Sequence, residues 1–181
     1  MAKDIHLDLF DSILDLTPHD GIMTHSNEIL IQQFYEAFSK KDSETMSACY
    51  HADADFDDPV FQKLHGSEIG MMWTMLCLQS GSLEIVHENV YADDKVGRAD
   101  WSAKYTFGKN KRKVHNKIHA EFAFEAGKII KHTDDFNFWK WSRMALGPLG
   151  LIMGWNSIVK VNIRKQAMAN LTKFITMTKN T

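Results

Sequence analysis

Residues 101–124 read WSAKYTFGKNKRKVHNKIHAEFAF, and their alternation decides the fold. Trp101, Ala103, Tyr105 and Phe107 take every second place, with Asp100, Ser102, Lys104 and Thr106 interleaved. Gly108-Lys109-Asn110-Lys111 turns the chain. Val114, Asn116, Ile118, Ala120, Phe122 and Phe124 then alternate with His115, Lys117, His119 and Glu121. Side chains on a strand point to opposite faces in turn, so this pattern predicts a long antiparallel hairpin with one buried and one wetted face.

The same period extends outward on both sides. An Ala126-Gly127 turn opens a further strand from Lys128 to about Trp139, and Leu83 to Tyr91 supplies one more before the hairpin. Upstream of Ser82 the period is near 3.6. Ser26, an N-cap type with Glu28 in the first turn, is expected to start a helix carrying Leu30, Ile31, Phe34, Tyr35 and Phe38. Asp42 caps a shorter helix facing inward through Met46, Cys49 and Tyr50, and Ser67 caps a third with Ile69, Met72, Trp73 and Leu76 as its stripe. Helices followed by a run of long strands predict an α+β fold, with the helices laid on one face of the sheet.

The two ends differ from the middle. Residues 4 to 16 put Ile5, Leu9, Phe10, Ile13 and Leu16 on one helical face and Asp4, Asp8, Asp11 and Asp15 on the other, so residues 1–22 are expected to form an amphipathic arm. The run Met144 to Trp155 is uncharged, contains Gly147, Pro148, Gly150 and Gly154, and is too short and broken to span a bilayer. Val159, Ile163, Ala167, Leu171 and Phe174 then predict a closing amphipathic helix, so residues 141–181 read as a lid and helix beside a domain over 23–140.

Composition narrows the function classes. The 181 residues carry a net charge of −2 and are 44% hydrophobic, which argues against a disordered chain and a globally basic nucleic-acid binder. The charge is unevenly spread, from −9 over residues 1–126 to +7 over 127–181, with no acidic residue after Asp135. That basic end would suit either a lid over the cavity mouth or a weak dock on anionic lipid, with the lid favoured. Cys49 and Cys77 are too few for a disulfide framework and lack a basic neighbour, so buried free thiols are expected. Acidic residues interrupt any secretory signal at the N-terminus, and a cytoplasmic location is expected. The nine histidines form no metal-binding spacing, and there is no phosphate loop or nucleophile elbow. What remains is acid/base chemistry without a metal or other cofactor.

Parity in the last strand names the candidates. Ile130, His132, Asp134, Phe136 and Phe138 share one face and Ile129, Lys131, Thr133, Asp135 and Asn137 the other; the first set is the more apolar and is expected to face the interior. His132 and Asp134 then stand two residues apart in an apolar pocket, where a pair can exchange a proton near neutral pH. The competing reading is a buried hydrogen-bonded pair that merely holds the strand end. Asn116, the one polar member of its row, is a candidate donor to a ligand carbonyl or hydroxyl, or a satisfied core amide. Tyr35, Phe61, Trp73, Trp101 and Tyr105 fit a cavity wall.

The stretch YHADADFDDPVFQKLHG (50–66), the helix after it and AGKIIKHTDDFNFW (126–139) together resemble ketosteroid isomerase, scytalone dehydratase and the SnoaL-like polyketide cyclases of the nuclear transport factor two-like superfamily. The string FWKWSRMALGPLGLIMGW (138–155) is similar to the C-terminal part of a subset of bacterial SnoaL-like proteins. The resemblance covers about residues 26 to 140. It implies a cone-shaped, strongly bent antiparallel sheet wrapped by the N-terminal helices. Carried onto this chain, the base of ketosteroid isomerase falls on Asp58. Its hydroxyl partner falls on Phe34, with Tyr35 beside it, and its protonated acid near Ala120, so two of three parts are missing and steroid-type isomerisation is not expected. The aspartate of the SnoaL-like cyclases falls on Asp134 or Asp135, and its companion histidine near His119, whose neighbours point it outward. Three roles are consistent with this: an isomerase, cyclase, dehydratase or epoxide hydrolase acting on a small, largely apolar molecule; a non-catalytic carrier of such a molecule; or a dimeric assembly module with a vestigial pocket. A homodimer through the outer sheet face is expected, with His115, His119 and Glu121 in a partly polar interface.

Overall fold

The computed structural model describes residues 24–108, 110–148 and 157–179. The N-terminal arm expected over residues 1–22 and most of the uncharged run to Trp155 lie outside the described residues. The elements run α1 (Ser26–Ser39), α2 (Ser43–Ala48), β1 (Tyr50–Asp57), β2 (Leu64–His65), α3 (Ser67–Gln79), β3 (Leu83–Ala92), β4 (Val96–Phe107), β5 (Arg112–Glu125), β6 (Lys128–Asp135), α4 (Phe138–Leu146) and α5 (Ser157–Lys179). One six-stranded curved sheet has the order β2-β1-β6-β5-β4-β3, and the helices cover one face of it. The α+β fold with helices on one face of a curved sheet, expected from the alternation, is the observed architecture, and its curvature agrees with the cone that the resemblance implies.

The hairpin at its centre pairs without a slip from Val96↔Ala123 to Phe107↔Arg112. Along β5 every second residue from Val114 to Phe124 is buried. Ala126 and Gly127 both have positive φ, 50° and 72°, which is the backbone that a two-residue hairpin loop needs to match the twist of its strands.

Local capping differs from the sequence reading at two helices. The N-cap of α1 is His25, not Ser26: its Nδ1 accepts the Asn27 N–H at 3.1 Å while the Glu28 carboxylate accepts the His25 N–H at 3.3 Å. An imidazole nitrogen does here what a hydroxyl usually does. The same Glu28 accepts the Ala92 N–H at 3.2 Å, which ties α1 to the end of β3. At α3 the cap is Gly66 with no side-chain bond, and Ser67 is already inside the helix. Gly66 has φ +55° and a Cβ there would lie 2.9 Å from the Ala52 carbonyl oxygen, so glycine is required.

Three further corrections bear on the site. Residues 50–57 form strand β1, whereas the sequence reading put Tyr50 on a helix and had the strands begin only after Ser82. β1 runs parallel to β6, the one parallel pair in the sheet. The last strand ends at Asp135 rather than near Trp139, and a short helix, α4, begins at Phe138 with Asn137 accepting the Lys140 N–H at 2.9 Å. Strand parity also breaks once within β6: pairing passes from Phe124↔Ile129 to Ala123↔Lys131, so Ile130 is the extra residue of a bulge. Ile129 is therefore fully buried and Ile130 only half-buried, the reverse of the expected faces, while His132 and Asp134 beyond the bulge keep the inward orientation.

Candidate active site

The parallel pairing of β1 with β6 assembles the site. Phe56 lies opposite His132 and Asp57 opposite Thr133, so Asp58, the first residue after β1, arrives near the level of Asp134. Two carboxyl groups distant in sequence thereby line one cavity of about 500 Å³. Its wall is mainly apolar, with Phe61, Trp73, Trp101, Tyr105, Ile118 and Phe136 among its members, and Asn116 is its polar exception on β5. α5 closes over it through Ile163, Gln166, Ala167 and Asn170. Of the residues singled out from the sequence, Asp58, Asp134, Asn116, Phe61, Trp73, Trp101, Tyr105 and Phe136 reach this cavity. Tyr35, Ala120 and His132 do not line it. Tyr35 is wholly buried against His87 and Trp101, and Ala120, paired with Asp134 on the neighbouring strand, is also fully buried.

His132 stands behind Asp134 as a support. Its Nε2 lies 3.1 Å from Asp134 Oδ1, and its Nδ1 lies 2.6 Å from the Tyr50 hydroxyl. Tyr50 in turn accepts the Trp73 indole N–H at 3.1 Å, and Asp134 Oδ1 accepts the Trp101 indole N–H at 3.1 Å. An indole only donates, so Trp73 uses an acceptor position on the Tyr50 oxygen and the phenolic proton is left to point at His132 Nδ1. His132 then carries its proton on Nε2 and gives it to Asp134. The chain of donors thus runs one way, from Tyr50 through His132 to Asp134. Burial holds the Tyr50 hydroxyl well above the usual phenol range, against the pull of Trp73, so it stays a donor. The rings of Phe34, Tyr50, Phe56, Trp73 and Phe122 surround His132 at centroid distances from 4.4 to 6.3 Å, which fixes the imidazole plane.

Both Trp101 and His132 donate to Oδ1 of Asp134. Among the described residues no donor reaches Oδ2, which leaves that oxygen for whatever enters the cavity.

Asp58 is held differently. Its Oδ1 accepts the Val60 N–H at 2.5 Å and the Phe61 N–H as well, an Asx-type turn after Pro59. Burial pushes its carboxyl up to about 7, against the two backbone N–H groups and the nearby Arg164, while the charge of Asp134 adds to the rise. Arg164 comes from α5, where its Nε donates to the Pro59 carbonyl at 3.0 Å. The closing helix is thus latched to the loop that carries Asp58. Lys160, one turn earlier, lies 5.3 Å from the centre of the Phe138 ring.

Other groups are accounted for by the fold. Tyr105 accepts the Trp141 indole N–H at 2.8 Å beside the cavity, and burial raises its hydroxyl. Cys49 and Cys77 are buried free thiols, and burial pushes Cys49 up to about 11, far from a reactive thiolate. His115 and His119 face outward, as parity required. Among the described residues no helix is long and apolar enough to cross a membrane.

Sequence reasoning missed Tyr50 as a polar partner of His132, having placed it only on the inner face of α2. The signal was there: Ala54 and Phe56 alternate with Asp53, Asp55 and Asp57, a period of two that marks a strand rather than a turn.

Residues 31–132 match the family described as SnoaL-like domain. Several solved structures share the fold. An LEH-like epoxide hydrolase from M. tuberculosis aligns at 18% identity and a TM-score of 0.58, over 72% of this chain and 95% of that one. A protein from Xanthomonas campestris pv. campestris, named for a polyketide cyclase, aligns at 18% identity and TM-score 0.57 over 66% and 96%. A protein of ketosteroid isomerase-like fold from Catenulispora acidiphila, solved with trimethylamine, aligns at 9% identity and TM-score 0.59 over 66% and 93%. Identities this low speak to the fold alone. No curated protein matches the chain.

Proposed function

Because the chain belongs to the SnoaL-like domain family, whose fold hosts many chemistries, we propose from the site itself that it binds a small, largely apolar molecule in the cone and performs acid/base catalysis on it without a cofactor. The observation that carries this is the Asp58 carboxyl, pushed up to about 7 in the same cavity as Asp134. A group poised near the working pH is what general catalysis needs. Asp134 serves as the base and protonated Asp58 as the acid. On a β,γ-unsaturated carbonyl substrate, Asp134 takes a proton from the carbon between the carbonyl and the double bond while Asp58 gives one to the carbonyl oxygen; Asp134 then delivers its proton to the far carbon of the dienol as the oxygen's proton returns to Asp58, and the double bond has moved into conjugation. On an epoxide, Asp134 takes a proton from the attacking water and Asp58 protonates the oxygen whose bond to carbon breaks. His132, with Tyr50 and Trp73 behind it, holds Asp134 in place, and α5 excludes water, which strengthens every charge interaction inside.

The test is a panel of small apolar epoxides and enones incubated with the protein and followed by mass spectrometry and NMR. Turnover is expected for at least one class. Asp134→Asn and Asp58→Asn should each lower it by roughly 100-fold or more. Unchanged turnover in both variants would overturn the assignment, and tight binding without turnover in any of the three proteins would favour a carrier instead.

A further inference from the structure

The inner face of β5 carries a second polar point that the acid/base chemistry leaves unused. Asn116 is 8% exposed and lines the cavity, and its side-chain amide makes no hydrogen bond to another described residue. An amide that faces an apolar cavity without a protein partner is satisfied by solvent or by what the cavity holds, so a ligand that displaces that solvent has to replace its hydrogen bonds. Beside it Tyr105, which accepts from Trp141, still has its own proton to give, and no described residue takes it.

Register sets the distance from this point to the carboxyl groups. Asp134 lies opposite Ala120 on β5, and Asn116 is four residues further along the same face. At about 3.3 Å per residue that is ~13 Å. The wall between them is apolar: Ile118 on β5, Trp101 and Ala103 on β4 and Phe136 after β6.

We propose that the cavity reads its ligand at two points, taking an elongated, rigid, mostly apolar molecule with one oxygen function at Asp134 and Asp58 and a second, hydroxyl or carbonyl, at Asn116. The proposal rests on the acid/base reading for its first point only. Asn116, with both a donor and an acceptor, takes either kind of oxygen, so it selects for length rather than for one functional group. A molecule with a single polar end fills the apolar waist but leaves the Asn116 amide unpaired, and discrimination of this sort exceeds what an apolar wall alone provides.

Isothermal titration calorimetry with two probes tests this. The probes are biphenyl bearing a para hydroxyl at one end and biphenyl bearing a para hydroxyl at both ends. The two-ended probe is expected to bind the wild-type protein roughly tenfold more tightly, the worth of one well-placed hydrogen bond to a buried amide. Asn116→Leu should remove that advantage, bringing the ratio of the two affinities close to one; Asn116→Ser, a smaller change in the strand, should reduce it. Binding of the one-ended probe should weaken in Asp134→Asn. Equal affinities for the two probes in the wild type, or an advantage that persists in Asn116→Leu, would overturn the two-point reading while the one-ended probe's response to Asp134→Asn still supports the first site. Failure of both probes to bind would overturn both readings.

Discussion

Among the histidine–aspartate pairs of this sheet, two lie on opposite faces of its centre. Inside, His132 Nε2 lies 3.1 Å from Asp134 Oδ1, with side chains 0% and 3% exposed. Outside, His119 Nδ1 lies 2.7 Å from Asp100 Oδ1, with side chains 49% and 42% exposed. The outer contact is the shorter, yet it is the weaker element of the structure. Water competes for both its partners and screens their charges, so such a pair contributes about 0–1 kcal/mol. The inner pair has no water to fall back on and each partner depends on the other. Identical residue types thus have different consequences according to the parity of the strand position they occupy.

The outer pair also joins a separate network. Asn89 donates to the second oxygen of Asp100 at 2.8 Å, and His119 with Asn89 holds that carboxyl below the usual range. The inner pair is enclosed by rings and extended by Tyr50 and Trp73 into a line of polar groups through the core.

The largest effect that would separate the two faces is the stability of His132→Ala. It leaves Asp134 and the Tyr50 hydroxyl buried with lost partners beside a cavity, and about 3–5 kcal/mol should disappear in urea denaturation. That is a large part of a typical domain's stability. A loss under about 1 kcal/mol would break the comparison.

The next effect is a pH dependence carried by Asp58. Its folded value, about 7, lies above the unfolded value of 3.8, so the folded state retains a proton that the unfolded state releases. The stability this supplies is complete below about pH 4 and is lost as pH rises toward 7, with a slope no steeper than about 1.4 kcal/mol per pH unit. Urea midpoints taken from pH 5 to pH 8 should therefore fall in the wild type, and Asp58→Asn should flatten that slope. Asp100 behaves oppositely: its folded value is lowered, so its contribution is present above the unfolded value near 3.8 and is lost as pH falls below it.

Tyr50→Phe should come third. It leaves His132 Nδ1 and the Trp73 N–H unsatisfied, at about 1–3 kcal/mol. If the donor chain orients Asp134, turnover on any substrate found will also fall while the affinity for that substrate holds. An unchanged kcat beside the lost stability would reduce Tyr50 to a structural role. The smallest effect belongs to the outer face, where His119→Ala should stay within about 0.5 kcal/mol by the same denaturation assay.

How the site could be read in advance varies by residue. His132 and Asp134 were legible from the parity of the last strand, and although Ile130, counted on their face, is displaced by a bulge, that bulge lies upstream of both and leaves them buried. Had the bulge fallen between them, parity would have failed where it mattered, since one inserted residue reverses every later side chain. Asp58 was a candidate only through its resemblance to a family base, because nothing local to Asp57-Asp58-Pro59 says which strand it will meet. Tyr35 looked like a cavity tyrosine on α1, yet its ring packs against His87 and Trp101 in the wall's second layer. A helix stripe tells which face is buried but not how deep behind the lining a residue will sit.

The alternation of residues 101–124, with the neighbouring helical stripes, was by itself enough to determine that this chain makes a one-sided sheet covered by helices, because burying one apolar face is a local constraint with few solutions. The sequence also determined which His–Asp pair lies inside. Only the tertiary structure decided that β1 runs parallel to β6 and so brings Asp58 level with Asp134, that Tyr50 reaches His132 across 82 residues of chain, and that Arg164 latches α5 over the cavity. Those contacts join segments far apart in sequence, and their formation depends on the shape of the whole core rather than on the preference of any one segment.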